Sequence, residues 1–222
     1  MKKVKGLLVM DVDGTLIRQE GIDLLAQEAG VGEKVAEITA QAMNGELDFA
    51  ASLEARVALL KGLETSIFPK ILEQIEVTPG ADRLITELHQ RGYKVGLVSG
   101  GFHEVIDPIA RSLGIDLVRA NRLQTFDGRL TGKVLGEIVT PERKKDNLLT
   151  WARENHIPRS QTIAMGDGAN DLPMIETAGI GIAFMAKPIV AERAPYRIET
   201  SDLSLVLEIL DQHRKETACI SY

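Results

Sequence analysis

The chain has 222 residues, 44% of them hydrophobic, and a formal charge of −6 at neutral pH. That length buries a full core as one large domain, or as one domain with a modest insertion. The acidic balance argues against a sequence-blind partner for nucleic acid or an anionic membrane, both of which need a positive field, so a small-molecule partner is expected. The one cysteine, Cys219, has no internal disulfide partner, which suits a reducing cytoplasm. Lys2, Lys3 and Lys5 ahead of Gly6 to Met10 imitate the start of a secretion signal, but the apolar run stops at Asp11 and reads as mature protein. No run approaches the roughly 20 apolar residues of a membrane helix.

The first element is Leu7-Leu8-Val9-Met10, an apolar run that ends in Asp11-Val12-Asp13-Gly14. It reads as a buried parallel strand delivering two carboxylates to a loop. In an open α/β sheet ligands bind outside the carboxyl ends of the strands, so Asp11 and Asp13 would stand at the mouth of such a site. The alternative is an ordinary turn at Asp13-Gly14.

From Glu20 to Pro79 the pattern is helical. Ile22, Leu25, Ala26 and Ala29 recur at helical spacing and stop at Gly30; Val35, Ile38 and Ala42 make a second helix ending near Asn44-Gly45. A third, from Asp48, puts Phe49, Leu53, Leu60 and Leu63 on one stripe with Val57 at its margin, and a fourth runs from about Ser66 through Ile75. Residues 17 to 77 thus form a small helical insertion. At 100° per residue Arg56 falls inside the third helix's stripe, where a guanidinium must find a partner. That partner is either an internal carboxylate or water reached by snorkelling, or a carboxylate arriving with a substrate.

The α/β rhythm resumes at Pro79-Gly80. A helix around Ala81 to Arg91 ends at Gly92, and the strand Tyr93 to Val98 runs into Ser99-Gly100-Gly101 just before a helix that begins near Phe102. A hydroxyl and two glycines at a helix N-terminus can seat a phosphate, although the same tripeptide often makes a plain loop. Leu117 to Asn121 is a short apolar segment, and Asp127-Gly128 between Leu123–Phe126 and Arg129–Thr131 predicts a hairpin flap. Pro141 opens a helix with Leu148, Leu149 and Ala152 toward the core. Lys144 and Lys145 sit in its first turn, where they oppose the helix dipole unless one faces an anion. The strand Thr162–Met165 ends in Gly166-Asp167-Gly168-Ala169-Asn170-Asp171, a tight loop of oxygen donors that suits a hard cation, magnesium before zinc. A strand Ile180–Phe184 and helices near Ala191 and Leu203–Leu210 complete the sheet, with Ala218 to Tyr222 expected as a frayed tail.

The motifs D-V-D-G-T-L at 11–16, V-S-G-G at 98–101, a lysine at 144 and G-D-G-A-N-D at 166–171, in that order, resemble the haloacid dehalogenase superfamily. The insertion resembles the small cap of that superfamily. Its stretch from Asp48 to Val57, with E-G-I-D at 20–23, is similar to the cap of the phosphoserine phosphatase family. The resemblance implies a Rossmann-like, doubly wound, mostly parallel α/β core (1–16 and 78–222) carrying a helical cap (17–77). It implies a cytoplasmic, Mg²⁺-dependent phosphomonoesterase of serine biosynthesis, monomer or homodimer, that hydrolyses O-phospho-L-serine through an aspartyl-phosphate. Asp11 would be nucleophile and Asp13 acid/base. Lys144, Ser99, Gly100 and Asn170 would bind phosphate, and Lys144 is preferred to Lys145 because its spacing to the G-D-G-A-N-D loop is ungapped. Asp11, the Asp13 carbonyl and Asp167, with Asn170 and Asp171 supporting, would hold the metal; Glu20 and Arg56 would hold the substrate's ammonium and carboxylate between Met43 and Phe49. Gly14 stands where these phosphatases carry Ser, a departure that touches substrate class more than chemistry. Competing readings are an enzyme for a related ester such as phosphohomoserine, a phospho-accepting signalling domain, which needs no second aspartate and no cap, and a dehalogenase, which lacks the metal carboxylates.

Overall fold

The computed structural model describes residues 4–43 and 46–219. Seven strands form one sheet in the order β4-β3-β2-β1-β5-β6-β7. They are β1 (Gly6–Met10), β2 (Tyr93–Phe102), β3 (Leu117–Phe126), β4 (Arg129–Leu135), β5 (Thr162–Gly166), β6 (Ile180–Phe184) and β7 (Tyr196–Ile198). All pair in parallel except β4, which returns antiparallel along β3. The sheet is therefore mostly parallel and doubly wound. β1 lies at its centre because all five of its residues are buried, with Leu8 and Met10 in one hydrophobic layer and Leu7 and Val9 in the other, as a strand's period of two demands. The chain adds β2, β3 and β4 on one side of β1 and then β5, β6 and β7 on the other. The reversal puts a crevice at the carboxyl end of β1, where ligands of such sheets bind.

Helices cover both faces: α5 (Ala81–Gln90), α6 (His103–Leu113) and α10 (Val206–Cys219) on one, and α7 (Pro141–Glu154), α8 (Leu172–Thr177) and α9 (Pro188–Arg193) on the other. Between β1 and α5 the chain folds as α1 (Gly21–Glu28), α2 (Gly32–Met43), α3 (Phe49–Ala58) and α4 (Phe68–Glu73), the last entered through a 3₁₀ turn at Thr65–Ile67. α3 starts where Asp48 caps it, its carboxylate accepting from the Ala51 N–H at 2.8 Å. The segment after α3 is stitched to the hairpin: Gly62 N–H donates to the Leu130 carbonyl, Leu130 N–H to Leu63 and Thr65 N–H to Gly128, while Arg129 pairs with Glu64.

Several expectations are corrected. Val57 is not marginal but fully buried, because α3 ends at Ala58 and the chain turns so that Leu60 packs beside it. The fourth cap helix stops at Glu73, short of Ile75. The segments 117–121 and 123–126 are one strand, whose first half pairs with β2 and second half with β4. Leu149 is 39% exposed and Trp151 takes the core position, since residues 148, 151 and 152 share α7's inner face. β7 was not expected, being three residues long. Ala218 and Cys219 belong to α10 rather than to a frayed tail; residues 220–222, like Asn44-Gly45, lie outside the described residues.

Candidate active site

Asp11 follows the last residue of β1 and is 5% exposed. Its N–H donates to Met165 in the adjacent β5, which ties the two strand ends together. Its Oδ1 accepts from the Val12 N–H at 2.8 Å and pairs with Lys144 Nζ at 2.8 Å; no hydrogen bond from the described residues reaches Oδ2. One oxygen is anchored and the other is left for chemistry. Lys144 is fully buried and also donates to Asp171 Oδ1 at 2.7 Å, whereas Lys145 lies half-buried off the site. Helical phase thus picks Lys144 of the two. Asp171 is itself fixed by the Gly168 N–H on its Oδ2.

Asp13 has both oxygens held: Oδ1 accepts from the Gly21 N–H at 2.7 Å and Oδ2 from the Ser99 hydroxyl at 3.0 Å. Its first partner opens α1 and its second lies in the last part of β2, so this carboxyl joins the helical insertion to the sheet. Gly100 lies under the Phe49 ring, and a Cβ there would come within 2.9 Å of the ring edge, so only glycine lets the aromatic settle on the loop. Gly14 has φ +71° and faces Asp167, whose Oδ2 would be 2.9 Å from a Cβ. Gly14 does not line the cleft. Its place therefore bears on how the Asp167 loop sits.

Carboxylate oxygens of Asp11, Asp167 and Asp171 lie within 4.8 Å of one another, an all-oxygen donor set fit for a hard divalent cation. Thr15 Oγ1 donates to Asp167 at 3.4 Å, and the Lys187 N–H donates to the Asp167 carbonyl at 3.0 Å.

These strand ends form the floor of a cleft of about 620 Å³ whose wall is the helical insertion, with Glu20, Phe49, Leu53 and Arg56 facing Asp11, Asp13, Gly100, Asp167 and Asn170. Phe49, Leu53 and Arg56 do share a helix face, as the spacing indicated, and that face is the cleft wall, with Leu53 buried in the core behind it. Arg56 Nε donates to the Ser52 carbonyl at 3.3 Å, and its charge senses Glu20 and Asp23 with no carboxylate in ion-pair reach among the described residues. Met43 ends α2, and its side chain lies outside the described residues. Asp23 and Lys187 also line the cleft and were not anticipated. Lys187 had a signal, since it directly precedes the proline that opens α9, the same unfavourable placement of a cation that drew attention to Lys144.

The site concentrates negative charge. Burial, then Asp171, pushes the Asp11 carboxyl well above its ordinary range despite Lys144. Burial also raises Asp13, although the Gly21 N–H and Ser99 hydroxyl pull it back. Lost hydration and then Asp171 bring Asp167 to about 6; lost hydration, Asp13, Asp167 and Asp23 bring Glu20 to about 7. Burial works against the charged form of Lys144, but Asp11 and Asp171 outweigh it and hold the ammonium charged, above its ordinary value.

A folded state that binds protons more tightly than the unfolded chain loses stability as pH rises. For Glu20 the contribution is complete below its unfolded value of 4.5 and is lost as pH passes about 7; for Asp167 it is lost by about 6. With divalent ions chelated, the melting temperature is expected to be higher at about pH 6 than at about pH 8 by at least ~2 °C, the shift that roughly 1 kcal/mol makes in a chain this long. Glu20→Gln should shrink that slope; an unchanged slope would remove Glu20 from the cluster.

Comparison with known proteins places this geometry. The family model described as haloacid dehalogenase-like hydrolase matches residues 8–176. A phosphoserine phosphatase of Streptococcus thermophilus is 63% identical over 212 residues, 96% of this chain and 99% of that one. One from Lactococcus lactis is 57% identical over 208 residues, 94% and 96% of the two chains. A solved structure described as a phospho-aspartyl intermediate analogue of phosphoserine phosphatase superposes with a TM-score of 0.87 at 45% identity, covering 93% of this chain and 99% of that one. No described helix is long and apolar enough to cross a membrane.

Proposed function

The chain belongs to the haloacid dehalogenase-like hydrolases and, within them, to the phosphoserine phosphatase family; from that premise we propose that it hydrolyses O-phospho-L-serine to L-serine and phosphate with magnesium, through an aspartyl-phosphate on Asp11. The observation that carries this reading is one cleft with two unlike ends. On the sheet side Asp11, paired with buried Lys144, shares the cleft with Gly100 and with Asp13, which the Ser99 hydroxyl holds; a carboxylate and a guanidinium, Glu20 and Arg56, stand on the helical side. A phosphorylated amino acid presents the complementary groups. The relatives' activity and the phospho-aspartyl analogue of a relative support the substrate and the covalent step.

In this mechanism Asp11 Oδ2 attacks phosphorus in line with the ester oxygen. As the bond from phosphorus to the seryl oxygen breaks, Asp13 gives that oxygen its proton. Water then attacks the acyl phosphate, Asp13 takes the water's proton, and phosphate leaves with Asp11 restored. Asp13 must begin protonated, in keeping with the upward push of burial on its carboxyl. Lys144, Ser99 and the Gly100 N–H hold the phosphoryl oxygens, and Asn170 faces them. Asp11, Asp167 and the Asp13 carbonyl, with Asp171 in support, would hold magnesium, which would supply positive charge to steady those oxygens. Residues 17–77 act as the cap, with Phe49 as an apolar wall, and residues 1–16 and 78–222 as the catalytic core. With L-serine as its product the enzyme would serve serine biosynthesis, and its single cysteine suits the reducing cytoplasm expected from the sequence.

Arg56 tests the substrate. If it grips the seryl carboxylate, Arg56→Ala should cost phosphoserine on the order of 10²-fold or more in kcat/KM. Phosphoethanolamine, which keeps phosphate and ammonium but has no carboxylate, should lose little of whatever activity it shows. Circular dichroism checks that the helices persist. Equal losses on both esters would make Arg56 a structural arginine and leave the choice of phosphoserine without support from this cleft.

A further inference from the structure

Asn121 lies on β3, 1% exposed and outside the cleft lining, in a strand interior where an apolar residue would pack as well. A buried amide is tolerated when both ends are bonded. Here they are, and to two different elements: Nδ2 donates to the Gly100 carbonyl at 2.7 Å, and Oδ1 accepts from the Val139 N–H at 2.9 Å. The register explains the first bond. β2 and β3 pair up to Val98 opposite Arg119 and resume at Phe102 opposite Asn121, so Ser99 to Gly101 bulge out of the ladder. The Asn121 side chain supplies Gly100 with the donor that the interrupted ladder does not.

That bond has a consequence one peptide further on. The Gly100–Gly101 peptide is planar and trans, so turning its carbonyl toward Asn121 turns the Gly101 N–H the opposite way. That N–H donates to Ser99 Oγ at 2.7 Å, and the Ser99 hydroxyl donates to Asp13 Oδ2 at 3.0 Å. The chain of bonds runs from Asn121 to the acid/base. At its other end Asn121 holds Val139, next to Thr140, which caps α7, the helix that carries Lys144; the Lys144 N–H donates to the Thr140 carbonyl at 2.9 Å.

We propose that Asn121 is a positioning residue for phosphoryl transfer: one side-chain amide sets the Gly100–Gly101 peptide plane, and with it the Ser99 hydroxyl, while fixing the start of α7 so that the loop and Lys144 close on the same phosphoryl group. The inference rests on the phosphatase reading of the cleft. Asn121 touches no substrate and acts through the loop and the helix.

Asn121→Ala severs both bonds. Kcat for phosphoserine is expected to fall by about tenfold or more, and inhibition by orthovanadate, which adopts the five-coordinate geometry of a transferring phosphoryl group, should weaken by a similar factor. KM should move by less than about threefold, since Glu20 and Arg56 are untouched. Leu123→Ala, a buried truncation two residues along the same strand, removes packing without touching the network, and should lower the melting temperature while leaving kcat and vanadate inhibition within about twofold. Asn121→Ser, which keeps a hydroxyl too short to span both partners, is measured beside Asn121→Ala and decides the matter should the alanine variant not fold. Wild-type kcat and vanadate inhibition in the Asn121 variants, or equal losses in Leu123→Ala, would overturn the assignment. A wild-type protein with no phosphatase activity would instead overturn the proposed function on which it rests.

Discussion

Asp11→Asn is expected to lower kcat for phosphoserine by a factor on the order of 10⁴ or more, the scale on which removal of a nucleophile acts. An amide has the carboxylate's shape but no charge with which to attack phosphorus. The fold should survive, for a reason specific to this site. Ionised Asp11 is held against burial and against Asp171, so its charge is a burden on the folded state. Lys144, which would otherwise be left with an unpaired buried charge, keeps its bond to Asp171 at 2.7 Å. A melting temperature equal to or above that of the wild type, in the absence of divalent ions, should therefore accompany the loss of turnover. If the folded variant retains a tenth or more of wild-type kcat, the nucleophile is another residue.

Chelation of divalent ions should abolish activity, and magnesium should restore it better than calcium. Three carboxylates whose oxygens lie within 4.8 Å of one another have one buried ammonium, Lys144, to offset them. Two unit charges about 4 Å apart repel by roughly 4 kcal/mol at an effective dielectric of 20, before a phosphate dianion joins them. Magnesium keeps near-octahedral geometry and takes one oxygen from a carboxylate; calcium's larger, looser shell can take both, and would engage the Asp11 oxygen needed for attack. A readout independent of turnover is the melting temperature. A cation at about 100 times its dissociation constant adds roughly 2.7 kcal/mol of stability, and the gain should be larger at about pH 8 than at about pH 6, where protons compete for Asp167. Full activity in calcium alone, or no thermal shift with magnesium, would contradict this account of the cluster.

The residues that do chemistry at strand ends were legible in the linear chain because strand ends are marked locally. An apolar run that stops at Asp11, another that stops at Ser99 and a third that stops at Asp167 each announce a loop at the same edge of a parallel sheet, and the order of motifs did the rest. Helical phase also reached far, placing Arg56 with Phe49 and Leu53, while the ungapped spacing to the G-D-G-A-N-D loop preferred Lys144 to Lys145. What it could not do was say which way a shared face points. The Phe49–Leu53–Arg56 face lines the cleft, and Val57 occupies the core, because α3 ends at Ala58 and the turn that follows reorients the stripe. Bonds between residues distant in sequence were beyond reach altogether. Asn121 reads locally as a poor strand residue, and its value comes from a carbonyl 21 residues earlier and an amide 18 residues later. Gly14 looks like a turn glycine until the Asp167 side chain, 153 residues away, is brought against it. Which groups stand at the carboxyl edge of the sheet follows from the linear chain, since periodicity and strand ends are local properties. How those groups are braced follows from the folded chain alone, because bracing depends on which carbonyls the bulge in β2 leaves unpaired and which side chains the crossing of the chain at β1 brings within about 3 Å of them.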